Sequence, residues 1–373
     1  MKVTFFSVVM SILWGSLLML IYSGLRKNRY FIDVCSLTGV VTLYVFCALR
    51  MLLPIEWSTV MVIPVKRIYN PLYKAVRYTV NGGPKVWQIL LGIWIFGAVT
   101  ALIRLGFRYH SFAKQISPIK AGSKQIFFDD LGINKDCRIG IYRTNEADVP
   151  VTVGIIHKDV LIPDKEYSKK ELGLIIRHEL SHIKNGDLFI QLLINILCAI
   201  YWWNPAVYIF RKDLEHYFEL RCDKSVTLGM SKNETADYLA VLLKIYKESD
   251  SRLEITSIGV IEDYKIGGDE LKERFERLYQ GFGKRNNAVI GKLITAVITI
   301  SLFILSYSFI FQSAYPPPEM EEGTFEVNKE NSYLIRQEDG KYLMKTDNGF
   351  QKIVSNEAAN MFIKEGFTVV EEK

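Results

Sequence analysis

Five long apolar stretches constrain this chain more than any other feature. They cover residues 3–25, 32–53, 86–107, 188–210 and 289–311. Because about 20 residues of helix span the hydrocarbon core of a bilayer, each stretch approaches the length of a membrane span. The mean hydropathy of +0.12 lies above that of most soluble domains. We therefore expect an integral membrane protein.

The charge beside these stretches predicts how the chain is oriented. The formal net charge is +6, but most lysines and arginines flank apolar segments, so direct nucleic-acid binding is not expected. Positive charge favours the cytoplasmic side of a membrane. Basic residues after the first and third stretches, and Lys284 and Arg285 before the last, therefore predict a cytoplasmic segment at 108–288. The five basic residues within 54–85 disagree, because that loop would lie outside.

The apolar stretches divide the chain into four parts. Residues 1–107 are predicted to form three transmembrane helices, and residues 289–312 a fourth. Residues 108–288 form a cytoplasmic α+β domain, and residues 313–373 a small β-rich module outside the membrane. The predicted fold class is a mainly α, multi-pass membrane protein.

The fourth apolar stretch is predicted not to cross the membrane. It contains Asn204-Pro205, which is a turn signal because the residue before a proline is biased away from helix. We expect a helical hairpin over residues 187–228, with both of its ends on the same side of the membrane.

Local signals place a strand and a helix ahead of this hairpin. The β-rich run at 151–156 predicts a strand. Ser168 and Glu171 have the spacing of a capping box, which begins a helix. This helix is predicted to end at Asn185, since the following Gly186 is a natural stop.

The pentad His178-Glu179-Leu-Ser-His182 on that helix is the strongest chemical signal. Histidines at i and i+4 lie on one helical face and can reach a single Zn²⁺. Glu179, beside the first histidine, could take a proton from a metal-activated water. The alternative is a polar helix face that carries two histidines by chance.

A catalytic zinc needs a third protein ligand and one open position. Glu219 is the best candidate, and Asp223, one turn later, could bond the free ring nitrogen of a zinc-bound histidine. His216 is a rival ligand, and Cys222 points off this face, which favours a packing role. Both carboxylates could also be solvated groups on a charged helix.

These residues together resemble a known family. The segments His-Glu-Leu-Ser-His-Ile-Lys-Asn-Gly-Asp (178–187), Asn204-Pro205 and Glu219-Leu-Arg-Cys-Asp223 are similar to those of the antirepressor metallopeptidases, the zinc-protease parts of bacterial beta-lactam and methicillin-resistance sensor-transducers (BlaR/MecR type). The resemblance covers about residues 1–312.

The resemblance implies a gluzincin-like zinc-protease domain on the cytoplasmic side of a bacterial plasma membrane. It implies His178, His182 and Glu219 as zinc ligands and Glu179 as the general base. In the family, an outer penicillin-binding domain passes a signal inward and the protease relieves a repressor. The tail 313–373 has no Ser-x-x-Lys motif, so direct beta-lactam sensing is not expected.

The expected partners are the lipid bilayer and a protein substrate, such as a cytoplasmic transcriptional repressor. A second copy of the chain could form a homodimer. A substrate held in an extended pose could pair with the strand at Val151, Val153 and Gly154, although an ordinary buried core strand fits the same pattern. His157 is a weak candidate for stabilising the oxyanion.

Two other functions fit the same sequence. A constitutive quality-control or prenyl-type protease would use the same zinc chemistry without an outer signal. A non-catalytic transmembrane transducer would use zinc only to hold its fold, and Glu179 argues against it because a structural site needs no base.

Overall fold

The computed structural model describes residues 3–26, 31, 37–56, 60–80, 82–126, 139–249, 268–280, 288–312, 327–337, 340–347 and 349–371. These residues belong to two compact units, Met1–Gln312 and Ser313–Lys373.

The first unit is mainly helical, as predicted. Its described helices are α1 (Phe5–Arg26), α2 (Leu37–Leu52), α3 (Lys66–Arg77), α4 (Val86–Ala121), α5 (Lys169–Asn185), α6 (Asp187–Ile200), α7 (Pro205–Thr227), α8 (Lys232–Ser249), α9 (Gly268–Gln280) and α10 (Ala288–Ser308).

By length and composition, two described helices could cross a membrane. They are α1 and α4, and the α5–α6 pair, bent by 58°, passes the same test when taken as one span. Shorter apolar helices run over Gly39–Leu52 and Ala296–Ser308, where the second and fourth spans were predicted. The described residues thus support two to three candidate spans.

A four-stranded sheet precedes α5 in the chain. Its strands are β2 (Lys124–Ile126), β3 (Gly140–Thr144), β4 (Val151–Val153) and β5 (Asp159–Pro163), in the order β2-β3-β5-β4. Strand β5 is parallel to β3 and antiparallel to β4, which lies at the edge. β5 and α5 share an apolar cluster, which fixes the sheet against the helix; its buried members are Ile141, Val160, Ile162, Leu172, Ile176, Leu180 and Ile183.

Strand β4 is shorter than the predicted run 151–156. Gly154 follows it with φ of +85°, a left-handed conformation that favours glycine. A Cβ at this position would clash with the carbonyl oxygen of His157. The chain therefore turns away from the sheet at Gly154, which ends the strand.

Helices α6 and α7 meet at a capped break in the chain. The Asn204 side chain accepts a hydrogen bond from the Ala206 amide at 3.0 Å, and Pro205 occupies the first turn of α7. Asn204 also donates to the Ser16 hydroxyl of α1 at 2.7 Å. Helix α7 then packs against α1 and α2 through a core that includes Tyr44, Phe210 and Tyr217.

Two further sheets complete the described structure. In the first unit, β1 (Met61–Pro64) pairs in parallel with β6 (Phe309–Gln312), which directly follows α10. The second unit comprises β7 (Ser332–Arg336), β8 (Tyr342–Thr346), β9 (Gln351–Val354), α11 (Asn356–Lys364) and β10 (Val369–Glu371), with the strand order β10-β7-β8-β9.

Candidate metal centre

Helix α5 presents the two histidines of the pentad on one face. It begins with a reciprocal cap, in which Ser168 Oγ accepts from the Glu171 amide at 3.2 Å and Glu171 Oε2 accepts from the Ser168 amide at 2.7 Å. The helix ends at Gly186, whose φ of +71° is a left-handed C-cap. His178 and His182 lie one turn apart between these caps.

The structure brings His178, His182 and Glu219 together. The two Nε2 atoms are 3.2 Å apart, and each lies 3.4 Å from a different carboxylate oxygen of Glu219. Ligand atoms about 2.0–2.1 Å from a tetrahedral ion lie about 3.3–3.4 Å from one another. The three side chains therefore have the spacing of one side of a tetrahedral metal site.

Glu219 is held in its charged form by its neighbours. Burial opposes ionisation, but the Arg274 guanidinium outweighs it, so the pKa of Glu219 lies well below its usual range. Arg274 Nη1 lies 2.9 Å from Glu219 Oε2. An ionised carboxylate is the form that binds a divalent cation.

His182 is oriented by Asp187, the first residue of α6. His182 Nδ1 lies 2.8 Å from Asp187 Oδ2, and Arg221 donates a hydrogen bond to the other carboxylate oxygen. Because this carboxylate only accepts hydrogen bonds, Nδ1 must carry the ring proton. The lone pair of His182 Nε2 is then left for a metal.

His178 is oriented by Tyr238 of α8. Its Nδ1 lies 2.8 Å from the Tyr238 hydroxyl, which donates to Asp223 Oδ1 at 2.7 Å. Since the hydroxyl has one proton and gives it to Asp223, it must accept from His178 Nδ1. His178 Nε2 is thus also free to bind a metal.

Asp223 therefore reaches His178 through another side chain, whereas its spacing predicted a direct hydrogen bond to a histidine. Its Oδ1 lies 3.6 Å from His178 Nδ1, which is too long for a direct hydrogen bond. The Tyr238 hydroxyl fills this gap. Asp223 is fully buried, and Arg274 binds both of its oxygens at 2.7 and 2.8 Å.

Glu179 is linked to the edge strand of the sheet. Thr152 Oγ1, in β4, lies 2.7 Å from Glu179 Oε2 and 3.2 Å from its carbonyl oxygen. Of the predicted substrate-strand residues, Val153 is buried in an apolar cluster and Val151 packs on it, whereas Gly154 lies past the end of the strand. Thr152 is the residue of β4 that reaches the pentad.

The remaining candidates lie outside the triangle. His216 is fully buried, and its Nε2 lies 2.9 Å from Glu273 Oε2. Cys222 Sγ lies 3.7 Å from Asp187 Oδ2. Cys222, Asp187 and His182 form a second group that could hold an ion. However, the Asp187 carboxylate already accepts a hydrogen bond from the His182 ring. His157 is exposed.

The residues that orient the triangle were not predicted from the sequence. Asp187 closes the pentad segment, and its position five residues after His182 was an available signal. Tyr238 and Arg274 lie on other helices, 60 and 51 residues from the side chains that they bind, His178 and Asp223. Residue spacing within one helix cannot predict contacts between side chains so far apart in the sequence.

Comparison with known proteins identifies relatives of this chain. A family model described as BlaR1 peptidase M56 matches residues 50–278. The methicillin resistance mecR1 protein of Staphylococcus aureus strain Mu50 is 26% identical over 258 residues, which cover 65% of this chain and 41% of that protein. The regulatory protein BlaR1 of Bacillus licheniformis is 31% identical over 97 residues, 26% of this chain and 16% of that protein.

A third relative gives a similar picture. The regulatory protein BlaR1 of Staphylococcus aureus is 25% identical over 235 residues, 60% of this chain and 38% of that protein. The chain thus spans about two fifths of the length of the mecR1 protein and of this BlaR1 protein.

The family match contains the whole candidate site and covers more than half of the 373 residues. It confirms the resemblance predicted from the pentad and its downstream partners. A metallopeptidase family implies a metal cofactor, and His178, His182 and Glu219 form a group that could hold one. The chain belongs to the BlaR1 peptidase M56 family.

Proposed function

We propose that this chain is an integral-membrane zinc metalloendopeptidase that transduces a signal by cleaving a cytoplasmic regulator. The observation that carries the proposal is the triangle of His178, His182 and Glu219, with side-chain atoms 3.2–3.4 Å apart. Two imidazoles and one carboxylate are a ligand set of catalytic zinc, which keeps a fourth position open.

The polar groups around the triangle support zinc rather than a hard cation. Both histidines offer Nε2 lone pairs because their Nδ1–H groups donate hydrogen bonds to Asp187 and Tyr238. Magnesium and calcium prefer sites made of oxygen ligands. A mixed nitrogen and oxygen set with oriented imidazoles is typical of zinc.

The chemistry would be peptide hydrolysis. When bound, zinc supplies Lewis acidity toward a water molecule and a peptide carbonyl. Glu179 would accept the proton of the attacking water and return it to the leaving amine, as the C–O bond forms and the C–N bond breaks. The Thr152 hydroxyl, 2.7 Å from Glu179 Oε2, would hold this carboxylate and leave Oε1 for the proton.

The substrate would bind in an extended conformation at the edge of the sheet. Strand β4 is last in the strand order, so a peptide could add beside Val151 and Val153. Thr152 links this edge to Glu179, so a peptide there would run past the base. We propose a cytoplasmic protein as the substrate, such as a transcriptional repressor.

Metal analysis of the full chain, purified in detergent, tests the proposal. We expect one zinc per chain in the unchanged protein and in Glu179→Gln, and no zinc in His178→Ala or His182→Ala. Glu179→Gln should lose hydrolysis of a quenched-fluorescence peptide library, because it removes the base and leaves the ligands. Full zinc occupancy in both histidine variants would overturn the assignment.

A further inference from the structure

Helix α9 is held against α7 by contacts between polar side chains. Lys212 Nζ lies 3.3 Å from Glu270 Oε1, and His216 Nε2 lies 2.9 Å from Glu273 Oε2. Arg277 Nε supports the same Glu273 carboxylate at 2.9 Å. Burial opposes ionisation of Glu273, but His216 and Arg277 outweigh it and lower its pKa to about 2.

The same face of α9 reaches the metal centre through Arg274. This side chain is 3% exposed. Its Nε and Nη2 bind the two oxygens of Asp223 at 2.7 and 2.8 Å, and its Nη1 lies 2.9 Å from Glu219 Oε2. One guanidinium therefore fixes two carboxylates of α7, in the forked geometry that arginine provides and lysine does not.

Arg274 is thereby connected to two members of the triangle. It contacts Glu219 directly, and it reaches His178 through Asp223 and the Tyr238 hydroxyl. The third member, His182, is held separately by Asp187. The orientation of two ligands thus depends on a residue that does not itself face the metal position.

We propose that Arg274 is a positioning residue of the metal centre, and that the centre reaches full metal affinity only while α9 is docked on α7. The inference rests on the proposed zinc site. Three of the four buried residues of α9 are charged, namely Glu270, Arg274 and Arg277, so ion pairs rather than a large apolar area hold this helix.

Zinc affinity of the full chain in detergent tests this inference, by competition with a chromophoric chelator. Groups that orient metal ligands typically contribute about 10–100-fold to affinity. We expect a loss in that range for Arg274→Gln and a smaller loss for Arg274→Lys, which keeps the charge but not the fork. Lys272→Gln is the matched control, because Lys272 lies on the exposed side of α9 and should leave affinity unchanged.

A second variant separates positioning from folding. Arg274→Gln alone leaves the buried Asp223 charge without its cation, which can destabilise the fold. The pair Arg274→Gln with Asp223→Asn removes the arginine and one of the two carboxylates that it binds, so its metal-free form should unfold at a higher temperature than Arg274→Gln while zinc affinity stays low. Wild-type affinity in this pair and in Arg274→Gln would overturn the inference. If the unchanged protein binds no zinc, the proposed function itself fails instead.

Discussion

At the scale of single residues, the tautomers of His178 and His182 decide whether the candidate metal centre can form. Each histidine of the triangle donates a hydrogen bond from Nδ1–H to a different kind of acceptor, a carboxylate for His182 and a phenol for His178. The phenol of Tyr238 accepts from the imidazole and donates its own O–H to Asp223. The tautomer of His178 therefore depends on a chain of three groups.

Removing the Tyr238 hydroxyl should break this series of hydrogen bonds without removing a candidate metal ligand. In Tyr238→Phe, His178 Nδ1 loses its acceptor, whereas Asp223 keeps both bonds from Arg274. We expect zinc affinity to fall about 10–100-fold. Tyr246→Phe, on the same helix, is the control. Equal zinc affinity in Tyr238→Phe and the unchanged protein would contradict the tautomer assignment.

The sequence indicated the three residues of the triangle but not most of the groups that contact them. The spacing of His178 and His182 follows from the helical repeat, and Glu219 followed from its place on the next charged helix. Asp223 was expected to bond a histidine directly, but a hydroxyl from α8 lies between them. These contacts depend on how α8 and α9 pack on α7, so the residue pattern of a single helix cannot predict them.

At the scale of elements, the edge strand is bounded by a glycine. The β-rich run predicted a strand over 151–156, yet β4 ends at Val153. The cause is the left-handed Gly154, which brings the chain back so that the His157 carbonyl lies where a Cβ would be. A β-rich run does not reveal such a turn, because its residues have the same propensity on either side of the glycine.

Adding a methyl group at Gly154 should therefore disturb β4 and its link to Glu179. We expect Gly154→Ala to lower the free energy of unfolding by about 1–3 kcal/mol, because alanine is strained at this φ and meets the His157 carbonyl. Gly173→Ala is the control, since Gly173 lies inside α5 with open space around its Cβ position, and it should stabilise by about 1 kcal/mol. Thermal unfolding in detergent measures both. A Gly154→Ala protein as stable as Gly173→Ala would contradict this account.

At the scale of the whole molecule, membrane orientation is the least determined property. Charge asymmetry around the apolar stretches predicts it, but the basic loop at 54–85 points the other way. Length and composition support α1 and α4 as candidate spans. An apolar helix can cross a membrane in either direction, so the charges that flank it set its orientation. The orientation depends on the balance of several junctions, so it is best measured from both ends.

Cysteine labelling in intact bacterial cells gives that measurement. In a background without the five native cysteines, we expect Lys352→Cys to react with an impermeant reagent and Lys169→Cys to react only after the cells are permeabilised. Both positions are exposed in their own units, so accessibility within the fold does not limit the reaction. The expected result follows because positive charge retains residues 108–288 on the inner side. The reverse pattern would place the candidate metal centre outside the cell, where a cytoplasmic repressor could not be its substrate.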